Sequence, residues 1–182
     1  MIAADESDEA LMVSYARGDT SAFERLYNRH EMRVWRYLER NVRNRATAEE
    51  LMQEVWFAVA RDAPRYEPTA RFTTWLFTIA HNRMIDSIRT QREHTSLEVL
   101  GYEIADPQAS PVSAAITRDQ ATALNRAVGQ LGLEQREAFL LQMEGELGVE
   151  EIAAITGANF ETTKSRLRYA RTRLRELLQE YA

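Results

Sequence analysis

A cluster of basic residues near the carboxyl end has the clearest chemistry in this sequence. Between positions 164 and 175 the chain carries Lys164, Arg166, Arg168, Arg171, Arg173 and Arg175, with no acidic residue among them. Cations at this density bind polyanions, because each one that neutralises a phosphate releases a condensed counterion. A spacing of 4, 3 and 4 places Lys164, Arg168, Arg171 and Arg175 on one stripe of a helix. The same stripe also fits a solvated surface helix.

The residues before this cluster favour nucleic-acid binding over a solvated surface. Apolar spacing over residues 149–155 predicts a short helix, and Gly157 can take the left-handed conformation that ends it. A second helix then begins at Phe160, with a core-facing stripe of Leu167, Ala170, Leu174 and Leu177. Two helices joined by such a turn form a helix-turn-helix, whose second helix enters the major groove of duplex DNA.

The position of each polar residue along that second helix predicts its role. Residues near the amino end approach base edges, whereas later cations contact phosphates, which fix register without reading sequence. The candidates for base edges are Glu161, Thr162, Lys164, Ser165 and Arg168, and those for phosphates are Arg171, Arg173 and Arg175.

The rest of the chain predicts helices only. Its 182 residues include 7 glycines and 4 prolines, and apolar positions recur at spacings of three and four. Residues 93–111 lack this period and contain Glu98, Glu103 and Asp106, so we interpret them as a linker. The predicted fold is all-α, with two small helical domains, residues 1–93 and 113–182, joined by a flexible acidic linker over residues 94–112.

Local signals also predict where the amino-terminal helices begin. One helix is expected from Glu31 to about Val42, and Thr47 is expected to cap the next one, over residues 48–61. After a loop at residues 63–71, a further helix is expected to begin at Thr73 or Thr74.

The predicted helix over residues 48–61 has two distinct faces. Leu51, Val55 and Ala58 lie at core spacing, whereas Glu50, Gln53, Glu54 and Phe57 fall largely on other faces. A strip rich in carboxylates suits a basic partner surface, although a solvated face has the same composition.

Several classes of function have no support in the sequence. The chain has no cysteine, which excludes disulfides and thiolate metal sites within it. His30 is expected to be structural, and His81 to lie beside a DNA-facing helix where it could donate to phosphate. No catalytic triad, phosphate-binding loop or paired carboxylates occur, so neither an enzyme nor a cofactor or metal is expected. Charges interrupt every apolar stretch and the amino terminus is not a secretory signal, so we expect a cytoplasmic protein without membrane insertion.

Three motifs resemble one family of transcription proteins. Residues 150–155, 162–167 and 170–175 are similar to the fourth region of sigma factors, and most similar to the extracytoplasmic-function (ECF) group of the sigma-70 family. Residues 48–55 resemble the second-region helix that docks on RNA polymerase, and residues 71–86 resemble the helix that meets melted promoter DNA. The sequence departs from the family at Gly148, Thr163 and Tyr169, and its turn lacks the proline often found there.

The resemblance implies a transcription initiation factor with two DNA contacts. Its carboxyl-terminal domain would read the −35 element as duplex, and its amino-terminal domain would melt and hold the −10 element as single strand. The implied partners are core RNA polymerase, through the β′ clamp helices and the β flap, promoter DNA and an anti-sigma factor. The implied polymerase-binding residues are Glu50, Gln53, Glu54 and Phe57, and the implied −10 residues are Arg65, Tyr66, Arg71, Asn82 and Arg83.

Two other functions remain open on the residues alone. A conventional regulator would use only the helix-turn-helix, as a dimer on a palindrome and without polymerase. A module that sequesters a protein partner would have no use for the basic stripe. Charge reversal at the acidic strip distinguishes the first of these from an initiation factor.

Overall fold

The structure is a computed structural model that describes residues 6–95 and 115–179, with side chains over 6–91 and 121–179. Both described segments are helical and contain no strand. The amino-terminal helices are α1 (Asp8–Ala16), α2 (Thr20–Val42), α3 (Arg45–Asp62) and α4 (Phe72–Thr95), with a 3-10 turn at Ala63–Arg65. The carboxyl-terminal helices are α5 (Ala115–Gly129), α6 (Leu133–Gly145), α7 (Val149–Thr156) and α8 (Phe160–Leu178). The predicted acidic linker, residues 94–112, lies outside the described residues except for the end of α4.

The predicted helix start at Glu31 is wrong, because α2 runs unbroken for 23 residues. No glycine or proline interrupts it, and Leu26, His30, Val34 and Leu38 continue one buried row at a spacing of four.

The predicted cap at Thr47 is also wrong. Asn44 caps α3 instead, because its side-chain oxygen accepts a hydrogen bond from the backbone N–H of Thr47 at 3.0 Å. The helix therefore begins at Arg45, three residues before the predicted start.

Long-range contacts attach α1 to the rest of its domain. Asp8 accepts a hydrogen bond from Arg29 at 2.8 Å and pairs with His30 Nε2 at 2.7 Å. Burial alone would raise the pKa of Asp8, but the bonds from His30 and Arg29 outweigh burial and lower it. The Glu9 carboxylate accepts from the backbone N–H of Phe72 at 2.7 Å, so α4 begins at Phe72 rather than at Thr73 or Thr74.

The core of the carboxyl-terminal domain lies between α6, α7 and α8. Leu140, Ile152, Leu167 and Ala170 are almost wholly buried there. Gly157 ends α7 with a φ of 66°, a left-handed conformation that glycine adopts without steric cost. Asn159 then caps α8 by accepting from the backbone N–H of Thr162 at 2.8 Å. The predicted helix-turn-helix is confirmed.

The two domains pack on each other, with α2 against α5 and α6, and α4 against α6 and α7. In the two described segments, no helix has the length and apolarity that a bilayer crossing requires.

Candidate nucleic-acid interface

The two stripes predicted for α8 lie on opposite faces. Leu167, Ala170 and Leu174 are buried against the domain core. Lys164, Arg168, Arg171 and Arg175 are exposed. Because the apolar stripe holds the helix in place, the cations face outward on a rigid scaffold.

Contacts within α8 arrange two of its exposed cations. The Lys164 ammonium lies 5.9 Å from the centre of the Phe160 ring, and the Arg168 guanidinium lies 5.2 Å from that of Tyr169. Such cation–π contacts limit the conformations of long side chains that still face solvent. Tyr169 therefore stacks with its neighbouring cation at a position where the family often has a basic residue.

The other basic residues of the cluster are partly engaged within their own domain. Arg166 pairs with Glu134 of α6 at 2.9 Å and is mostly buried, so it braces α8 against α6. Arg171 donates to Gln142, and Arg173 pairs with Glu176 at 3.1 Å. Thr163 is fully buried, and its hydroxyl donates a hydrogen bond to the Asn159 carbonyl. The family often has an apolar residue at this position, and the hydrogen bond satisfies the hydroxyl that Thr163 buries there.

The acidic strip of α3 is exposed in full. Glu50, Gln53, Glu54 and Phe57 all face solvent, and Phe57 is 70% exposed. Leu51, Val55 and Ala58 are buried behind them, which confirms the predicted core face. An exposed phenylalanine suits a protein-binding surface, since aromatic residues are enriched at such interfaces.

The residues expected at melted DNA differ in accessibility. Arg65 and Asn82 are exposed, and Arg83 lies 4.0 Å from Glu54. Tyr66 is partly buried, with its ring 5.0 Å from that of Trp75 and 6.3 Å from that of Phe72. Burial, with Glu9 and Asp8 nearby, raises the pKa of Tyr66 to about 12. Tyr66 therefore supports the loop from within instead of presenting its ring to solvent.

Arg71 contacts the other domain, although its side chain remains about half exposed. Its guanidinium donates to the Glu146 carbonyl at 3.2 Å and lies 3.6 Å from the Glu151 carboxylate. In this arrangement the partners of Arg71 come from the carboxyl-terminal domain, whereas the sequence predicted a contact with −10 DNA.

The two buried histidines have structural partners. His30 pairs with Asp8, so its predicted structural role is confirmed. The prediction for His81 is wrong: this residue is 9% exposed and its Nδ1 contacts the Glu137 carboxylate of α6. It lies between the domains rather than on a DNA-facing surface. Within residues 6–91 and 121–179, no group of His, Asp or Glu side chains could hold a metal ion.

Sequence reasoning missed an ionic contact between α2 and α6. Arg33, Arg36 and Arg40 all reach Glu144, more than 100 positions away in the chain. The only local signal was the spacing of these arginines, which places them on one face of α2.

Comparisons with known proteins place both domains in one family. Residues 26–94 match the family described as sigma-70 region 2, and residues 121–174 match sigma-70, region 4. The chain is 39% identical over 173 residues to RNA polymerase sigma factor CarQ of Myxococcus xanthus, covering 93% of this chain and 96% of CarQ. It is 32% identical over 178 residues to ECF RNA polymerase sigma factor RpoE of Cereibacter sphaeroides, covering 94% and 97% of the two chains.

Solved structures agree with this assignment. Sigma factor RpoE of Bartonella quintana, in complex with the anti-sigma factor NepR, has a TM-score of 0.74 and 25% identity, over 86% of this chain and 96% of that chain. CnrH, in complex with the cytosolic domain of CnrY, resembles the fold with a TM-score of 0.68 at 21% identity, over 97% and 100% of the two chains. The chain therefore belongs to the ECF sigma factors of the sigma-70 family, the non-enzymatic proteins that direct RNA polymerase to promoters.

Proposed function

We propose that α8 of this sigma factor reads the −35 element as duplex DNA. The observation that carries the proposal is the exposed basic stripe on the helix after the Gly157 turn, backed by a buried apolar stripe. Lys164, Ser165 and Arg168 contact base edges, with Glu161 and Thr162 beside them. Arg171, Arg173 and Arg175 lie further from the amino end of the helix and contact phosphates.

The acidic strip of α3 binds core RNA polymerase in this proposal. Glu50, Gln53 and Glu54 supply charge complementary to a basic surface of the β′ clamp helices, and Phe57 supplies an apolar anchor. The carboxyl-terminal domain, residues 113–182, contacts the β flap.

The amino-terminal domain, residues 1–93, holds the melted −10 element. Arg65, Asn82 and Arg83 provide donors at the surface, and Asn82 can pair with a base edge because its amide both donates and accepts. Tyr66 maintains the shape of the loop that carries Arg65, and Arg71 joins this surface when the carboxyl-terminal domain moves away.

Regulation by an anti-sigma factor completes the proposal. Its support is the likeness to RpoE of Bartonella quintana, whose structure was solved with the anti-sigma factor NepR. Such a partner would cover a polymerase-binding face or the contact between the domains.

Replacement of Arg168 is the experiment that tests the −35 assignment. Arg168→Ala is expected to weaken promoter complexes of the holoenzyme by about 1–3 kcal/mol and to relax base preference at one −35 position. Arg175→Ala, a matched loss of one exposed arginine from the same helix, is expected to weaken all sequences equally and to reduce the slope of log affinity against log salt by about 1. Binding measured on a promoter library at several salt concentrations checks both. Unchanged selection at every −35 position with Arg168→Ala contradicts the assignment.

Replacement of Asn82 tests the −10 surface. Asn82→Ala removes a hydrogen-bonding group worth about 1 kcal/mol, so open complexes on duplex promoter are expected to form about fivefold more slowly. A promoter that is already melted at −10 needs no base capture for opening and should be transcribed at nearly the normal rate. Asp86→Asn, one turn along the same exposed face, is the control and should match the unchanged protein on both templates. An equal loss on both templates, or none, refutes a role of Asn82 in melting.

A further inference from the structure

The first helix, α1, lies outside the part of the chain that matches sigma-70 region 2, since that match begins at residue 26. It is nevertheless built into the amino-terminal domain. Leu11 and Met12 are fully buried, and Asp8 pairs with two residues of α2. On its other side α1 packs against the 3-10 turn at Ala63–Arg65 and against α4. These are the two elements that carry the proposed −10 surface.

Glu9 of α1 caps α4 from 63 positions away in the chain. The residue directly before α4 is Arg71, whose side chain has only donors and cannot accept a hydrogen bond from a backbone N–H. The Glu9 carboxylate accepts instead from the backbone N–H of Phe72 at 2.7 Å. A negative charge at this end also interacts favourably with the helix dipole. Glu9 therefore fixes the residue at which α4 begins.

The same carboxylate lies near the ring that supports the −10 loop. Tyr66 directly follows the 3-10 turn, and its ring packs on those of Phe72 and Trp75 in the first turn of α4. After burial, the charge of Glu9 is the next cause of the raised pKa of Tyr66. The Tyr66 hydroxyl is buried and has no hydrogen-bond partner among the described residues. Packing on α4 therefore orients this ring, and that packing depends on where α4 begins.

The two parts of the proposed −10 surface are linked through this cap. Arg65 ends the 3-10 turn, next to Tyr66, whereas Asn82 lies further along α4. If the start of α4 moves relative to the turn, the separation between Arg65 and Asn82 changes with it. Polar groups that capture a ligand must be held in place by the residues behind them.

We propose that Glu9 is a positioning residue for promoter melting, which caps α4 beside Tyr66 and so holds Arg65 and Asn82 at the separation that captures −10 bases. The proposal rests on the proposed function, because it requires Arg65 and Asn82 to contact the melted strand. Glu9 itself does not touch DNA, so α1 contributes to melting only through the elements that it holds.

Replacement of Glu9 tests its effect on melting in the holoenzyme. Glu9→Ala removes the acceptor, and open complexes on duplex promoter are expected to form about tenfold more slowly, the size of one hydrogen bond to a charged group. Glu9→Gln keeps an amide oxygen that can accept from the same N–H, so it should recover most of the rate. A promoter already melted at −10 should be transcribed at nearly the normal rate by both variants.

Two further variants control for charge and for stability. Glu6→Ala is the matched control, because it removes an acid of the same segment that pairs with Arg25 instead of capping α4. It should match the unchanged protein on both templates. Glu9→Asp keeps the charge but shortens the side chain by one methylene. It should lose part of the melting rate, and it takes the place of Glu9→Ala if that variant does not fold.

Hydrogen exchange measures the cap without polymerase or DNA. The backbone amide of Phe72 should exchange faster in Glu9→Ala than in the unchanged protein, while Glu6→Ala should leave its exchange unchanged. Circular dichroism and urea denaturation report whether each variant remains folded. Unchanged exchange at Phe72 in Glu9→Ala overturns the proposal.

A double-mutant cycle distinguishes positioning from a general loss of stability. If Glu9 acts by placing Asn82, then Asn82→Ala should slow melting much less in the Glu9→Ala background than in the unchanged protein. Arg168→Ala, in the other domain, should have its full effect in both backgrounds. Additive losses of Glu9→Ala and Asn82→Ala overturn the proposal, as does a Glu9→Ala loss that is equal on duplex and melted templates. If Arg65→Ala and Asn82→Ala leave melting unchanged, the proposed −10 surface is refuted instead, and the exchange at Phe72 still decides whether Glu9 caps α4.

Discussion

Phe72→Ala is expected to lower the free energy of unfolding by about 3–5 kcal/mol. Phe72 is fully buried, and its ring lies 5.4 Å from that of His30, 6.3 Å from that of Tyr66 and 5.9 Å from that of Trp75. Truncation leaves a cavity among large rings that belong to three separate elements and cannot collapse together. Urea denaturation followed by circular dichroism measures the loss.

Phe57→Ala is the matched control, since it makes the same chemical change at a ring that is 70% exposed. It should change the free energy of unfolding by no more than about 0.5 kcal/mol and should instead weaken binding to core polymerase. Equal destabilisation by the two variants would contradict the packing described around Phe72. A Phe57→Ala protein that binds polymerase normally would remove Phe57 from the proposed docking surface.

Reversing the acidic strip should have the largest effect on assembly. Glu50→Lys with Glu54→Lys converts attraction to a basic partner into repulsion, and like charges across an interface cost several kcal/mol. We expect core polymerase affinity to fall by at least about a hundredfold, a change that titration of labelled sigma factor with core enzyme measures. Helix content should be unchanged, because both side chains are exposed.

The control for this reversal keeps the total charge equal. Glu24→Lys with Asp86→Lys also replaces two exposed acids, and each pair changes the net charge from −5 to −1, since −5 + 4 = −1. Equal losses in the two double variants would mean that net charge, not the α3 strip, determines binding. Glu54 also lies near Arg83, so Glu50→Lys alone should show a substantial share of the loss if the strip itself binds polymerase.

Periodicity predicted those features of the fold that depend on neighbours along one helix. The two stripes of α8 and the buried row of Leu51, Val55 and Ala58 follow from a repeat of 3.6 residues, because one helical face alone must reach the core. Gly157 was predictable for a similar reason, since the end of α7 requires a left-handed residue that glycine adopts readily.

Contacts between distant segments account for what was missed. The start of α4 depends on Glu9, 63 positions before Phe72, and the burial of His81 depends on Glu137, 56 positions after it. No local pattern encodes such pairs, because Glu9, His81 and Glu137 are polar residues of types that usually face solvent. Only the folded chain brings each of them to its distant partner. Arg71 likewise has a distant partner, since its guanidinium donates to the carbonyl of Glu146, 75 positions later in the chain.

The unbroken α2 has a consequence for the engineering of hybrid sigma factors. Its 23 residues extend about 35 Å. They contribute to the amino-terminal core through residues such as Leu26, and they contact Glu144 of α6 through Arg33, Arg36 and Arg40. A carboxyl-terminal domain transplanted from another promoter specificity brings its own residue to the position of Glu144. Without an acid there, the guanidiniums of Arg36 and Arg40 lose the carboxylate that neutralises them, so compatibility of a graft depends in part on a helix of the other domain.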